Sequence, residues 1–438
     1  MKKSSVFQIT LLAVFAALGV AGILIFALAV GGGNANAIGP IKIWGTLDKT
    51  AFTTVLRQVA DEDPNFNQVS YVQKDPSTYE SEITNALASG EGPDLFLMTQ
   101  DHALQNAGKT VVIPSASFSR SQFENTFASA AGPFISTQGA LALPLVIDPL
   151  VLYWNKDMLA SAGFASPPQY WDELFSFAAS VSTKDDAGSI QRSAVAFGEY
   201  KNVDHAKDIL AMLIMQAGGH VTTRDSSGRL QSDLVAKGSS ASSASAVAAL
   251  RFYTEFADPS KDDYSWNRSL PQAQQAFAAG DLALYVGYAS EESAIRSMNP
   301  NLNFGVAAMP QIRAASDSQG AARVYALAAS RTSVNPAGAL SVAATLTSST
   351  NSALFAQVYG IPSARRDLLN AATKGSSSLA ARMAIIARSW EDPDPAQTDD
   401  VFRAMIENTT SGALLINEAI SRADQQLVRI LNTSQPEL

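Results

Sequence analysis

Residues 141–177 read LALPLVIDPLVLYWNKDMLASAGFASPPQYWDELFSF, and they combine a bent strand with the capped starts of two helices. The first half is an apolar run rich in β-branched residues, interrupted at Asp148 and Pro149, which is typical of a strand that is buried at both ends. Asn155 then opens a short helix, and Gly163 ends it. A bent strand of this kind predicts a connection between two lobes.

Around this stretch, short apolar runs alternate with longer helical patterns, which predicts an α/β protein. The first lobe is predicted to have the order β-α-β-α-β, with strands at Ile41–Trp44, Val69–Val72 and Leu95–Met98 and helices at Thr50–Asp61 and Tyr79–Ala88. The second lobe is predicted to hold helices near Asn155–Ala162, Trp171–Val181, Lys207–Ala217, Ala244–Ala257 and Pro271–Ala279, and a strand at Leu282–Val286. Further strands are predicted at Phe304–Pro310 and Tyr325–Ala328, a helix at Pro336–Thr347 and a surface loop at Thr223–Ser243.

Composition narrows the class of protein. The chain has 438 residues, of which 47% are hydrophobic, enough for two globular domains of ordinary size. Its formal net charge of −9 argues against nucleic acid as a partner. The absence of cysteine excludes disulfides, thiolate metal sites, cysteine catalysis and a lipid-modified N-terminal cysteine.

The N-terminal segment is predicted to insert into a membrane. The stretch Ile9–Val30 is apolar apart from one threonine and small glycines, and Lys2 and Lys3 precede it. Roughly 20 apolar residues span a bilayer, whereas the apolar part of a secretory signal has about 7–15, so the length favours one uncleaved transmembrane helix. The alternative is cleavage after Ala37, in the sequence Ala35-Asn36-Ala37, which would release a periplasmic or secreted protein. In both cases the following domain faces away from the cytoplasm.

An enzyme would need a nucleophile, a base and an orienting group, and no motif supplies them. His102, His205 and His220 are widely spaced and lack the spacing of metal ligands. Neither a G-x-S-x-G elbow nor a G-x-x-x-x-G-K-[ST] phosphate loop occurs. The sequence therefore predicts no enzyme activity, no metal and no cofactor.

Further motifs follow one another along the chain: IKIWGTLDK at 41–49, SGEGPDLFL at 89–97, FAAGDLALYVG at 277–287, GVAAMPQ at 305–311 and YGIPSARRDLL at 359–369. Together with residues 141–177, they resemble the motifs of the extracellular solute-binding proteins of ABC transporters, in the carbohydrate-type family typified by maltose-binding protein. The resemblance covers nearly everything after Gly39. No single motif is specific, but their order is.

The resemblance implies a periplasmic-binding-protein-like fold of type II, in which two α/β lobes are joined by a hinge with three crossings. The implied first lobe comprises 38–147 and about 305–357, and the second comprises 148–304 and about 358–438, after the N-terminal segment 1–37. It also implies a monomer, held at the extracytoplasmic face, that captures a small polar ligand such as a sugar or oligosaccharide. The ligand would pass to the permease subunits of an ABC transporter.

Positions after the predicted strands are candidates for ligand contacts, because ligands of open α/β sheets bind beyond the carboxyl ends of strands. A sugar needs flat aromatic faces for stacking, and carboxylates or amides for its hydroxyls. In the first lobe and the hinge, the candidates are Trp44, Thr46, Asp48, Lys49, Gln100, Asp101, Asp148 and Tyr359. In the second lobe, the candidates are Tyr285, Tyr288 and Trp266. Trp266 and Trp390 both have polar neighbours in the sequence, which predicts that one of the two lines the ligand cleft.

The resemblance assigns sugar contacts to Asp48-Lys49, Asp101 and Asp148, and a stacking role to Tyr288. Met98 stands where maltose-binding protein has a stacking tryptophan, so the identity of the sugar stays open. Asp48 also suits a helix N-cap, and Tyr288 also suits a buried tyrosine whose hydroxyl is bonded.

Two other functions are alternatives. An extracytoplasmic sensor or adhesion module would use the same lobes to bind a surface partner without transport. A cationic solute such as a polyamine would suit the acidic candidates Asp48, Asp101 and Asp148.

Overall fold

The computed structural model describes residues 38–235, 240–313, 315–373 and 379–434. The predicted membrane segment Ile9–Val30 and the cleavage sequence that ends at Ala37 lie outside these ranges. Inside them, no helix has both the length and the apolar character that a membrane span requires.

The described residues divide into two compact units. The first contains the residues up to Asp148 together with Arg323–Ile385, and the second contains Pro149–Ala322 and the residues from Ile386 onward. The chain therefore crosses from one unit to the other after Asp148, after Ala322 and after Ile385.

Both units combine strands and helices, which confirms the predicted α/β class. The strands are β1 Ile41–Gly45, β2 Val69–Gln73, β3 Leu95–Thr99, β4 Ile113–Pro114, β5 Gly139–Ala140, β6 Leu143–Asn155, β7 Thr183–Lys184, β8 Ile190–Val195, β9 Thr222–Arg224, β10 Leu230–Ser232, β11 Leu282–Tyr288, β12 Phe304–Ala307, β13 Gly320–Ala329 and β14 Ala387–Arg388.

The α-helices are α1 Lys49–Glu62, α2 Tyr79–Ser89, α3 Ala103–Asn106, α4 Arg120–Thr126, α5 Lys156–Ser161, α6 Glu173–Val181, α7 Ala206–Gln216, α8 Ser240–Glu255, α9 Ala273–Ala279, α10 Glu292–Met298, α11 Pro336–Leu346, α12 Ser349–Tyr359, α13 Arg366–Ala372, α14 Leu379–Ile386, α15 Pro395–Thr410 and α16 Ile416–Ser434. Short 3-10 helices span Pro64–Gln68, Gln100–His102, Ala107–Lys109, Ser129–Phe134 and Ala289–Glu291.

In the first unit, β1 pairs in parallel with β2 on one side and with β3 on the other. The last residues of β13 extend this sheet, antiparallel to β3. Helix α1 buries Phe52, Val55 and Val59, whose spacing places them on one helical face. Phe52 stacks on Tyr71 of β2, with ring centroids 3.9 Å apart. The carboxyl ends of β1 and β3 consequently share one edge of the sheet.

In the second unit, the last residues of β6 lie between β11 and β12 and are antiparallel to both. Strand β11 also pairs in parallel with β8, and β7 pairs antiparallel with β8. Aromatic rings fill the core beside this sheet: Trp171, Phe197 and Phe252 have ring centroids 5.5–6.3 Å apart. The carboxyl ends of β8 and β11 share one edge, because the two strands are parallel.

Several elements of the second unit differ from the sequence-based expectation, among them β8 and the stretch Thr223–Ser243. Strand β8 was not predicted, because the exposed Gln191 and Arg192 interrupt its apolar pattern. The stretch Thr223–Ser243 was predicted as a loop, but β9 and β10 form an antiparallel pair there and α8 begins at Ser240. Short polar strands carry little hydrophobic signal, and this explains both omissions.

The second and third crossings lie later in the sequence than the expected boundaries near 305 and 357. Strand β12 pairs with the second-unit part of β6, so it belongs to the second unit. Helix α13 belongs to the first unit, where Arg366 Nε donates to the carbonyl oxygens of Glu124 at 2.7 Å and Phe127 at 2.6 Å.

Ser265 fastens the end of β8 to the loop that follows α8. Its side chain is fully buried, and its Oγ accepts the N–H of Ala194 at 3.0 Å and of Val195 at 2.9 Å. The hydroxyl donates in turn to the carbonyl oxygen of Val195 at 2.9 Å. A buried backbone N–H that loses its partner costs free energy, so this hydroxyl should matter for stability.

We expect Ser265→Ala to lower the free energy of unfolding by about 1–3 kcal/mol, because it removes the acceptor of the buried Val195 N–H. It also leaves Ala194 with only its longer bond to Ser182 Oγ, at 3.3 Å. Urea denaturation of the full chain measures the change. Ser297→Ala is the matched control: this exposed serine only bonds the carbonyl oxygen of Ser293, and its loss should change stability by less than about 0.5 kcal/mol. Equal losses in the two variants would contradict the role of Ser265.

Candidate functional site

Polar and aromatic side chains collect beyond the edge at which β8 and β11 of the second unit end. The segment after β8 carries Tyr200 and leads to His205, which precedes α7. Tyr288 is the last residue of β11, and Trp390 follows β14 by two residues. Because ligands of open α/β sheets bind beyond the carboxyl ends of strands, this edge is the candidate site of the second unit.

Tyr288 is held by several neighbours, among them Tyr153, whose hydroxyl donates to the Tyr288 carbonyl oxygen at 2.7 Å. Tyr288 itself donates from its hydroxyl to Asp208 Oδ2 at 2.8 Å, and its ring meets the ring of His205 edge-on, with centroids 4.6 Å apart. Its backbone N–H donates to Glu291 Oε1 at 2.9 Å. Only 3% of Tyr288 is exposed, so its ring is packed, as the buried-tyrosine alternative anticipated, and does not offer a stacking face. Its hydroxyl orients Asp208.

Glu291 is the centre of a buried network. It contacts His205 Nε2 at 2.6 Å and accepts from the Tyr285 hydroxyl at 2.5 Å and from Gln274 Nε2 at 2.8 Å. Burial opposes ionisation of Glu291, but the bond and charge of His205, with bonds from Tyr285 and the Tyr288 N–H, outweigh it and hold its pKa below the ordinary value. His205 has a left-handed backbone, φ +61°, a strained conformation that persists where contacts hold it.

Tyr200 forms a second tyrosine–carboxylate pair at this edge. It is half-buried, and its hydroxyl donates to Asp399 of helix α15. Burial and the neighbouring Asp399 raise the pKa of Tyr200, and the charge of Asp208 adds to the rise, so the hydroxyl keeps its proton. The two pairs therefore lie close to each other.

Trp390 presents a partly exposed aromatic ring at this edge of the second unit. Its indole is half-buried and stacks on Phe402, with ring centroids 6.0 Å apart. Lys207 Nζ lies 5.6 Å from the indole centroid, and it is held by Asp392 Oδ2 at 2.7 Å and the Thr398 hydroxyl at 2.8 Å. An indole that is supported in this way and still reached by solvent can stack on the apolar face of a sugar ring.

In the first unit, Asp48 follows β1 and is exposed. Its Oδ1 accepts the N–H of Ala51 at 2.8 Å, so the N-cap alternative is confirmed. The Tyr359 hydroxyl donates to the carbonyl oxygen of Asp48 at 2.8 Å. The backbone N–H of Lys49 donates to Gln73 Oε1 at 2.9 Å, and Lys49 is exposed. The structure thus brings Asp48, Lys49 and Tyr359 together.

Three other candidates of the first unit have different surroundings. Trp44 is half-buried, and Lys74 Nζ lies 3.8 Å from a ring centroid of its indole. Thr46 is half-buried in the turn after β1. Gln100 is 9% exposed, and its Oε1 accepts the N–H of Val324 at 2.7 Å, so this side chain ties β13 to the turn after β3.

The acidic candidates Asp101 and Asp148 both lie near Tyr325, and Asp101 also lies near Arg323. Asp101 Oδ1 accepts the N–H of His102 at 3.1 Å and contacts its Nδ1 at 3.3 Å. Burial opposes ionisation of Asp101, but the bond and charge of His102 and the charge of Arg323 outweigh it, so its pKa lies below the usual range. Burial raises the pKa of Tyr325; Arg323 opposes this rise and Asp148 adds to it. Asp148 itself is 2% exposed.

Two predicted stacking residues belong to the core instead. Trp266 is 1% exposed, and its Nε1–H donates to Asn202 Oδ1 at 3.2 Å. Tyr285 is 1% exposed and stacks on Tyr153, with centroids 5.8 Å apart. Trp266 is buried although its neighbours in the sequence are polar. An irregular segment can turn a large apolar side chain toward the core, whatever residues flank it. We therefore withdraw both residues as stacking candidates.

Sequence reasoning missed several residues of the second-unit site. Trp390 and Trp266 both stand among polar residues in the sequence, and nothing in that pattern distinguishes them. Tyr200, Lys207 and Asp208 lie just before or within the first turn of α7, and without a predicted β8 that turn had no place at a sheet edge. Across the described ranges, no group of three or more histidine, aspartate and glutamate residues is arranged to hold a metal ion.

The chain is similar in sequence to known binding proteins. A family model described as bacterial extracellular solute-binding protein matches residues 49–353. Binding proteins of Brucella abortus strain 2308 and of Brucella suis biovar 1 strain 1330 are each 22% identical over 236 residues. The match covers 52% of this chain and spans 52% of the length of each relative.

The fold is similar to those of solved solute-binding proteins, each covering 90% of this chain. An ABC transporter solute-binding protein of Thermotoga lettingae TMO, bound with α-D-tagatose, aligns over 100% of its length with TM-score 0.65 and 20% identity. A cyclo/maltodextrin-binding protein with maltotetraose aligns over 96%, with TM-score 0.68 and 18% identity. The GacH receptor of Streptomyces glaucescens GLA.O, solved with and without acarbose, aligns over 98%, with TM-score 0.68 and 18% identity.

We expect the contribution of Glu291 to stability to depend on pH. Its folded-state pKa lies below the ordinary 4.5, so its contribution is complete above that pH and is lost as the pH falls through the lowered value. Glu291→Gln should therefore destabilise the full chain by about 1–3 kcal/mol at pH 7, with a difference that shrinks below pH 4.5.

Urea denaturation at a series of pH values measures this difference. Glu292→Gln is the control, because its carboxylate is more exposed and pairs only with Arg296 on the surface of α10, at 2.6 Å. A Glu291→Gln effect that stays constant from pH 7 to acid pH would contradict the assignment of a lowered pKa.

Proposed function

This chain belongs to the bacterial extracellular solute-binding protein family, and we propose that it captures a sugar or oligosaccharide and delivers it to the permease subunits of an ABC transporter. Membership of this family places its function outside the cytoplasm, and family members are binding proteins rather than enzymes. Solved relatives with bound sugars, of similar fold, support the choice of ligand.

The observation that carries the proposal is the surroundings of Trp390. A half-buried indole, stacked on Phe402, lies beside the ammonium group of Lys207. Asp399, which accepts from the Tyr200 hydroxyl, lies on the same helix as Phe402, one turn earlier. An aromatic face with fixed polar groups at its margin matches the amphipathic surface of a pyranose, whose C–H face is apolar and whose rim carries hydroxyls.

The first unit contributes polar groups to the same proposal. Asp48 and Lys49 are exposed at the carboxyl end of β1, and Asp101 follows β3 by two residues. We propose that Asp48, Lys49 and Asp101, with Thr46, bond sugar hydroxyls. Tyr359 and Gln100 hold the turns that carry them, through bonds to the Asp48 carbonyl oxygen and the Val324 N–H.

The proposed mechanism is ligand-dependent closure. A chain that crosses between two units three times can bend without tangling, and a ligand that contacts both units favours the closed form through the contacts made only there. The closed form would dock on the permease. The apolar stretch Ile9–Val30 is proposed to anchor the monomer to the membrane.

We expect Trp390→Ala to weaken binding of neutral oligosaccharides by about tenfold or more, because the stacking face is lost, whereas Trp390→Phe should keep part of the affinity. Thermal shift and isothermal titration of the full chain against a panel of neutral oligosaccharides measure the change. Tyr264→Ala is the control, an aromatic of similar burial with a comparable lysine neighbour, Lys184 Nζ at 5.0 Å from its centroid, but outside the proposed sugar site. Binding that is unchanged in Trp390→Ala would contradict the proposed stacking.

The same titrations separate a neutral sugar from a cationic solute. Asp399→Asn keeps the acceptor for the Tyr200 hydroxyl but removes the charge. We expect a neutral sugar to bind this variant within about threefold of the unchanged chain, since only one charge-assisted contact is altered. Spermidine binding that depends strongly on Asp399 and on salt, with no response to any sugar, would instead favour a polyamine.

A further inference from the structure

A cavity of about 330 Å³ opens on the second unit at the edge opposite the candidate site. Its walls include Arg192 in the first half of β8 and Gly280 just before β11, so it lies near the amino ends of these parallel strands. Met158 of α5 and Leu302, which precedes β12, form its apolar side. Trp390 and Tyr288, by contrast, lie beyond the carboxyl ends.

A buried amide supplies a donor to this cavity. Asn155 is 4% exposed and lines the cavity. Its Oδ1 accepts the N–H groups of Asp157 and Met158, each at 3.1 Å, and this fixes the orientation of the amide. Within the described ranges, Nδ2 has no hydrogen-bond partner. Among the described residues, no side-chain nitrogen that is shielded from solvent lacks a partner, so Nδ2 is open to the cavity and can donate to a ligand acceptor there.

Arg192 supplies the positive charge. Its side chain is exposed, lines the same cavity and forms no hydrogen bond or ion pair with another described residue. The nearby carboxylate, Asp157, is occupied: its Oδ1 accepts from Asn303 Nδ2 at 2.7 Å. A planar guanidinium with free donors binds a carboxylate through two parallel hydrogen bonds.

The remaining wall is held in place before any ligand arrives. Asn299 Nδ2 donates to the carbonyl oxygen of Ala278 at 2.8 Å, and Asn299 Oδ1 accepts the N–H of Asn301 at 3.1 Å. The backbone N–H of Lys156 donates to the carbonyl oxygen of Asn303 at 2.9 Å. A cavity with fixed walls loses little conformational entropy on binding.

We propose that this cavity binds a small carboxylate, which bonds the Arg192 guanidinium and Asn155 Nδ2 and places its carbon chain against Met158 and Leu302. Both donors are unpartnered among the described residues and open to the cavity, the Asn155 side chain is otherwise packed, and the volume suits a ligand of a few carbon atoms. The carboxylate of Asp157 opposes the ligand charge and limits the affinity. The site is independent of the sugar site.

The experiment uses ligand-observed saturation-transfer NMR on the full chain, with succinate as the probe and succinamide as its neutral match. We expect succinate to receive saturation and succinamide to receive little. Arg192→Gln should weaken succinate binding about tenfold or more, because a charge-assisted pair is lost. Asp157→Asn should strengthen it, because a repulsive charge is removed while the acceptor for Asn303 is kept.

Trp390→Ala distinguishes this proposal from the sugar site: it should leave succinate binding unchanged. In the unchanged chain, succinate binding without any sugar binding would contradict the sugar proposal alone, and sugar binding without succinate binding would contradict the carboxylate proposal alone. Equal saturation of succinate and succinamide, no saturation of succinate in the unchanged chain, or the same succinate affinity in Arg192→Gln would each overturn the carboxylate site.

Discussion

Strand β6 constrains both units, because one continuous backbone takes part in each. Its first residues belong to the first unit, where Val146 bridges Ser363, and its last residues lie between β11 and β12 of the second. Twelve of its 13 residues are buried, all except Trp154. A slip of one residue would turn every side chain to the other face of its sheet, so the register chosen in one unit limits the register available to the other. The buried residues of β6 include two ionisable side chains, those of Asp148, the last residue of the first unit, and Tyr153.

The ionisable side chains of the second-unit site occur mostly as partnered pairs. Glu291 is paired with His205, Lys207 with Asp392, and tyrosine hydroxyls bond Asp208 and Asp399. Such pairing offsets the desolvation cost of charged groups that are partly removed from water, and it fixes the rotamers of these side chains. It also explains why the pKa of Glu291 falls despite its burial.

Much of the fold could be predicted, because long apolar runs and capped helices are strong local signals. Strands β1, β2, β3 and β11 and helices α1, α2 and α7 lie within two residues of their predicted bounds. Strand β8 could not be predicted, since its burial depends on pairing with β11, far along the chain. The residues of the site were harder to predict, because they too depend on contacts between distant parts of the chain. Asp48 could be predicted from its place after β1, whereas Trp390 and Tyr200 come together only through helices α7 and α15. The exposure of a lone tryptophan depends on such tertiary contacts, and for Trp266 the local sequence pointed the wrong way.

The Tyr200–Asp399 pair also restricts the direction in which hydrogen bonds can run. The hydrogen of the Tyr200 hydroxyl is committed to Asp399, so this phenolic oxygen can only accept from a further group. A solute group that touches it must therefore bring its own hydrogen. Free hydroxyls and ammonium groups meet this condition, whereas ether oxygens and O-methylated positions do not, and the pair would act as a filter for unsubstituted polar solutes.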